Sequence, residues 1–199
     1  MAPGCRIPLG LVVLLGFVAL APACSPKGVD PTSAGQLLDA EKLTQAQKAK
    51  TELARQARDA MFAALLGELT TALEKGGPSS AISICRDRAP QIARETSEKM
   101  RLKIGRTSFR LRNPGNSPPA WAEALVEKRA QGPAYAALRG GAVGALLPIV
   151  TGAPCLTCHG EKDSLKADVR DAIAKHYPQD QATGFRAGDL RGWFWIEVP

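Results

Sequence analysis

Two cysteines and a histidine lie close together in the run Cys155-Leu156-Thr157-Cys158-His159. Two thiols three positions apart, followed at once by an imidazole, have the spacing that forms two thioether bonds to haem and places a ring nitrogen under the iron. The same residues could instead be half of a zinc site or a redox dithiol. No second CxxC is present to complete a zinc site, and no βαβ pattern surrounds the motif. We therefore predict one covalent haem c, attached through Cys155 and Cys158 and ligated by His159.

The N-terminus has the features of a secretory leader over residues 1–23. Arg6 gives a positive start, the run from Leu9 to Leu20 is apolar, and Ala-Pro-Ala at 21–23 forms a small-residue cleavage site. The apolar run is shorter than the ~20 residues that a membrane-spanning helix needs. Cys24 would become the first residue, as in a bacterial lipoprotein, or else an unmodified thiol of an ordinary secreted protein. We predict export to the periplasmic side of a bacterial envelope, with a lipid on Cys24.

The cysteine count then singles out one residue. Of the five cysteines, Cys5 leaves with the leader, Cys24 is acylated, and Cys155 and Cys158 hold the haem. Cys85 is left without a disulfide partner. A lone thiol in an oxidising compartment needs burial or a bound group to protect it.

The chain carries a net charge of +7 at pH 7. Nucleic acid is not expected as a partner outside the cytoplasm. A solvated, slightly basic surface explains the charge, and attraction to anionic lipid or to an acidic redox partner is the functional alternative.

The first half of the chain is predicted to be helical after a Pro- and Gly-containing tether over residues 25–38. Apolar positions keep helical spacing over residues 43–75, and Gly76-Gly77-Pro78 is a strong stop. A second helix carries Cys85 and is expected to kink or restart at Pro90. The first helix is long enough to project from the core or to pair with another copy in a homodimer.

The second half mixes strands and helices. Alternating or continuous apolar runs predict a strand over 102–111, a strand over 141–150 and two strands within 185–198, and helices are expected over 120–131 and 165–176. The mixture predicts an α+β fold, divided into a leader at 1–23, a tether at 24–40 and one domain at 41–199.

Four groups of residues, in this order, resemble a family of single-haem c-type domains with a PAS-like fold. They are Cys85 with Ala89-Pro90, Arg106-Thr107-Ser108 with the run 112–116, the motif 155–160, and the tail 177–185 with 188–192. Such domains occur alone and as the periplasmic sensor region of bacterial histidine kinases. The resemblance covers about residues 45–198. It implies a PAS-like antiparallel sheet with long N-terminal helices, and iron ligated by His159 on one side and Cys85 on the other.

The residues themselves offer several sixth ligands besides the histidine of the motif. The candidates are Cys85, His176, Met61 and Met100, and the sixth position could also have no protein ligand at all. Cys85 has Arg86 and Arg88 beside it, and positive neighbours favour a thiolate. We therefore expect Cys85 to bind the iron.

Two further arginines could contact the haem. Arg106 and Arg112 lie in a basic, strand-like stretch, and guanidinium groups pair well with haem propionates. Solvated strand arginines are the alternative.

Two classes of function follow from a haem with two protein ligands. A filled sixth position favours a redox or ligand sensor, or an electron-transfer module, acting with a redox or signalling partner. The alternative is a haem enzyme acting on peroxide or on a small nitrogen or sulfur oxide. Because the chain has only two histidines, it supplies little acid–base chemistry for an enzyme.

Overall fold

The computed structural model describes residues 35–199. The predicted leader, the predicted lipid site at Cys24 and residues 25–34 of the predicted tether lie outside the described residues. No described helix is both long enough and apolar enough to cross a membrane.

The described residues form a five-stranded antiparallel sheet with helices before it and beside it. The strands are β1 (Gln36–Leu38), β2 (Lys103–Thr107), β3 (Ala134–Ala137), β4 (Val143–Val150) and β5 (Leu190–Val198). They are ordered β1-β3-β4-β5-β2, and every neighbouring pair is antiparallel. The helices are α1 (Gln45–Met100), α2 (Glu123–Glu127), α3 (Leu156–His159) and α4 (Ala167–His176). This arrangement confirms the α+β prediction and the antiparallel sheet that the resemblance implied.

Helix α1 begins at a capping box and is broken once. The Thr44 hydroxyl accepts from the Gln47 amide at 3.2 Å, and the Gln47 side chain accepts from the Thr44 amide at 2.9 Å. Gly77 interrupts the helix at φ 71°, ψ −172°, where the Gly-Gly-Pro stop is predicted. The expected kink at Pro90 is absent, because Gly77 alone has non-helical dihedrals within α1. The flanking Ala89 and Ile92 are buried, and this packing offsets the hydrogen bond that Pro90 removes from the helix.

The two faces of the sheet bury different sets of side chains. The face toward α1 packs Phe194, Ile196 and Leu147 against Ala57 and Met61. The opposite face buries a second apolar cluster that consists of Trp121, Ala122, Val126, Ala136, Leu146 and Trp193. Trp193 and Phe194 point to opposite faces, as the alternation of side chains along a strand requires.

Three elements differ from their predictions. The strand expected over 102–111 ends at Thr107, because the Ser108 hydroxyl donates to the Arg191 carbonyl at 2.7 Å and accepts from the Arg110 amide at 3.0 Å, which bends the chain. The helix expected over 120–131 is a 3₁₀ turn followed by the five residues of α2, and it stops before Arg129, whose φ is 52°. Residues 36–38, inside the predicted tether, pair with β3 as the edge strand β1.

The aromatic tail forms one strand instead of the predicted two. Residues 186–189 close a turn in which the Arg186 amide donates to the Asp189 carboxylate at 2.7 Å. The Phe185 amide bonds to the His159 carbonyl at 3.0 Å, and the Gly184 amide bonds to the Gly160 carbonyl at 2.7 Å. The stretch before the turn therefore pairs with the cysteine–histidine motif and not with the sheet.

Candidate cofactor site

The cysteine–histidine motif forms a single helical turn. Cys155 ends a 3₁₀ turn, and α3 runs directly on from it through His159. Both Cys155 and Cys158 are free thiols; the first is exposed and the second is half-buried. Because Cys155 and Cys158 are three positions apart in a helical segment, their side chains lie on the same side, where both could form bonds to one planar group.

His159 is held in one orientation by the chain opposite it. Its Nδ1 lies 2.7 Å from the Ala182 carbonyl oxygen, to which it donates. The Phe185 ring meets the imidazole edge-on, with 6.4 Å between ring centroids. Burial lowers the pKa of His159 well below its ordinary value, and the charges of Arg191 and Arg112 lower it further. A neutral imidazole that donates through Nδ1 keeps the lone pair of Nε2 for a metal.

Cys85 reaches the same region from α1. Ile82, one helical turn before it, packs in an apolar cluster with Tyr177 and residues of α4, and Cys158 contacts that cluster. Burial raises the pKa of the Cys158 thiol, and a charge on Cys85 contributes in the same direction. The structure thus brings together Cys85 and the motif, which are about seventy positions apart in the chain.

The other predicted sixth ligands are engaged elsewhere. Nδ1 of His176 accepts from Arg86 Nη1 at 2.6 Å, which leaves Nε2 to donate to the Ser83 hydroxyl at 3.4 Å. His176 therefore has no ring nitrogen left for a metal. Met61 is buried between α1 and the sheet, and Met100 packs against the same core.

The two arginines beside Cys85 in the sequence each pair with a carboxylate. Arg86 pairs with Asp87 at 2.8 Å and Arg88 pairs with Glu68 at 3.0 Å. Arg106, on β2, has a pKa lowered by burial, and the charge of Cys85 partly opposes that shift.

The Arg112 guanidinium forms hydrogen bonds within the protein. Its Nε donates to Asp180 at 2.9 Å, and its Nη2 donates to the Cys158 carbonyl at 2.6 Å and the Ala182 carbonyl at 3.2 Å. The Arg112 side chain is only 10% exposed to solvent. Arg112 therefore ties the motif to the loop opposite, and most of its donors are unavailable to a propionate.

Close to His159, the guanidinium groups of Arg106 and Arg191 have unused donors. No hydrogen bond or ion pair joins the guanidinium group of Arg106 to another residue within 35–199. Arg191 donates through Nη1 to Ser108 and to the Arg110 carbonyl, but its buried Nε has no partner. Burial lowers the pKa of Arg191 to about 10, and repulsion by Arg112 and Arg106 contributes. This excess of positive charge beside His159 is suited to binding a negatively charged group, such as the two propionates of haem.

A zinc site built by the protein alone is not supported. No group of three or more histidine, cysteine or acidic side chains comes together anywhere in the described part of the chain. A tetrahedral zinc site needs four ligands, whereas haem iron takes four from the porphyrin and needs at most two from the protein. The donors present therefore fit haem.

A family model described as Tll0287-like matches residues 36–199. The chain belongs to the Tll0287-like family. The crystal structure of the cyanobacterial heme-protein Tll0287 is similar to this fold, with a TM-score of 0.55 and 23% sequence identity. The similarity covers 79% of this chain and 97% of that one, and it shows a shared fold. No curated protein matches the chain.

For this member of the Tll0287-like family, sequence reasoning missed two residues of the site. Asp180 pairs with Arg112, and Arg191 adds a buried positive charge, yet neither belongs to a motif with a known spacing. Both lie within the tail segments that carry the family resemblance, and that resemblance was the only sequence feature pointing to them.

Proposed function

We propose that this chain is an exported c-type haem protein that acts as a redox or ligand sensor or an electron-transfer module. Cys155 and Cys158 would attach the haem, and His159 and Cys85 would bind its iron. The observation that carries the proposal is the packing of Cys158 of the motif against the cluster that contains Ile82, one helical turn before Cys85 on α1. The fold shared with a protein described as a heme-protein supports it.

The haem supplies one-electron chemistry, and the protein residues determine how it is held. His159 binds through Nε2 because Nδ1 donates to the Ala182 carbonyl. Arg106 and Arg191 balance the propionate charges, with Arg191 Nε as the buried donor that lacks a protein partner. Tyr177 and Ile82 form part of the apolar wall that excludes water from the iron.

Two protein ligands on the iron favour sensing or electron transfer over turnover of a substrate. An enzyme needs an open iron position and a group that moves protons near it. His176, the histidine outside the motif, bonds through both ring nitrogens to side chains of α1. It is therefore poorly placed to serve as the acid or base of the alternative haem enzyme.

Export agrees with this chemistry, since thioether attachment belongs to an oxidising compartment. The leader-like run 1–23 and Cys24 support a lipid-anchored protein on the periplasmic side of the envelope. The net charge of +7 suits an acidic redox partner.

Exogenous ligands test the choice between the two functions. Carbon monoxide is added to the ferrous protein and cyanide to the ferric protein, and binding is followed by absorbance. We expect slow, weak binding in the wild type and fast binding in Cys85→Ala, in which the sixth position is open. Fast, tight binding to both oxidation states of the wild type would instead indicate the haem enzyme.

A further inference from the structure

One guanidinium joins the haem motif to the loop that orients its histidine. Arg112 Nη2 lies 2.6 Å from the Cys158 carbonyl oxygen and 3.2 Å from the Ala182 carbonyl oxygen. The Ala182 oxygen also accepts from His159 Nδ1 at 2.7 Å. A single carbonyl therefore accepts one hydrogen bond from the histidine and one from a positive charge.

Asp180 completes this arrangement from the same loop. Its Oδ1 accepts from Arg112 Nε at 2.9 Å and from the Ala182 amide at 3.0 Å. The side chains of Arg112 and Asp180 are 10% and 7% exposed to solvent. Water screens such a pair weakly, so each charge acts on the neighbouring histidine with little attenuation.

We propose that Arg112 and Asp180 are positioning residues that set the reduction potential of the haem by controlling the hydrogen bond between His159 and Ala182. The inference rests on the proposed function, because it needs iron on His159 Nε2. It gives Arg112 a role other than the propionate contact that its sequence position suggests.

The two residues have opposite effects on the iron. A positive charge near the iron favours the ferrous state, and a guanidinium on the Ala182 oxygen weakens that oxygen as an acceptor for His159. Arg112 therefore raises the potential. The negative charge of Asp180 favours the ferric state and offsets Arg112. A pair that only stiffened the loop would give both neutral variants the same change.

The experiment compares Arg112→Gln, Asp180→Asn and Arg112→Lys as holoproteins by potentiometry and by electron paramagnetic resonance of the ferric form. At a fixed applied potential we expect the ferric-to-ferrous ratio to rise about tenfold in Arg112→Gln, which is a shift of about 59 mV downward for one electron. Asp180→Asn is expected to shift upward. Arg112→Lys keeps the charge and should lie close to the wild type.

Arg58→Gln and Asp59→Asn serve as matched controls, since that 2.8 Å ion pair lies on α1 well before the break at Gly77, whereas Cys85 follows the break. We expect both controls to keep the wild-type potential and low-spin signal. Shifts of the same sign in Arg112→Gln and Asp180→Asn, or no shift in either, would overturn the inference. If Arg112→Gln does not take up haem, an unshifted Asp180→Asn decides against the inference, and an upward shift supports it. Loss of covalent haem from the wild type itself would contradict the proposed function instead.

Discussion

Nδ1 of His159 donates to the carbonyl oxygen of Ala182 across a distance of 2.7 Å. The two residues lie on separate segments, and backbone bonds from Gly184 and Phe185 to the motif keep those segments together. The bond fixes the tautomer, so Nε2 faces away from the loop with its lone pair free. The ring is thus oriented by the folded chain alone.

Cys85→Ala is predicted to raise the reduction potential. A thiolate donates charge to iron and stabilises the ferric state, so its loss favours reduction. We expect a rise on the order of 100 mV, or about 2.3 kcal/mol for one electron. Potentiometry and electron paramagnetic resonance of the ferric protein measure it.

His176→Ala is the matched control for that substitution, because the His176 ring bonds to Arg86, the residue after Cys85, at 2.6 Å. We expect the control to leave the potential and the low-spin signal unchanged. If Cys85→Ala leaves both unchanged and His176→Ala moves them, Cys85 is not the sixth ligand.

Sequence reasoning singled out the cysteine–histidine motif and Cys85 because each depends on residue type and count. The motif has a fixed spacing, and Cys85 is the cysteine without an assigned partner. It could not reveal that the nearest arginines in sequence pair with Asp87 and Glu68, or that Arg106 interacts with Cys85 from another element. Residues far apart in the sequence, such as Arg106 and Cys85, become neighbours through the order of strands in the sheet, and local sequence patterns do not reveal that order.

The same limit explains the fold differences. Alternating apolar residues continue past Thr107 in the sequence, but the Ser108 hydroxyl bonds to β5 and bends the chain there. The short apolar run of β1 forms a strand only because β3 lies beside it. Helix α1 and its break at Gly77 were predictable, since helical spacing and a Gly-Gly-Pro stop are local signals.

A pair of glycine substitutions is predicted to change stability in opposite directions. A Cβ on Gly192 would lie 2.3 Å from the Thr107 carbonyl oxygen, whereas a Cβ on Gly67 meets nothing within 4 Å. We expect Gly192→Ala to lower the free energy of unfolding by about 3 kcal/mol. Gly67→Ala, on an exposed helical position, should raise it by about 0.5–1 kcal/mol. Urea unfolding measures both, and a Gly192→Ala protein as stable as the wild type would argue against the β2–β5 packing.

Tyr177 is predicted to make the fold less stable at alkaline pH. Burial raises the pKa of Tyr177 to about 12, and a charge on Cys85 adds to the shift. The folded state therefore keeps the phenol proton between pH 10 and 12, where an unfolded tyrosine loses it. The stabilisation is complete below pH 10 and falls as pH rises, by about 2 kcal/mol near pH 12.

Tyr177→Phe isolates this effect, since every other titrating group is common to the two proteins. Unfolding curves at several alkaline pH values should show the wild type losing stability relative to Tyr177→Phe. Parallel curves from pH 9 to 12 would mean that the phenol is not buried as described.

Covalent attachment of haem through Cys155 and Cys158 is the central claim, and mass spectrometry of the denatured holoprotein measures it most directly. We expect the wild type to keep the mass of one haem after acid-acetone extraction, and Cys85→Ala to keep it as well, because Cys85 binds iron without a thioether bond. The variant with both Cys155→Ala and Cys158→Ala should lose the haem from the polypeptide. Haem that extracts from the wild type, or that stays covalently bound to the double variant, would contradict the account.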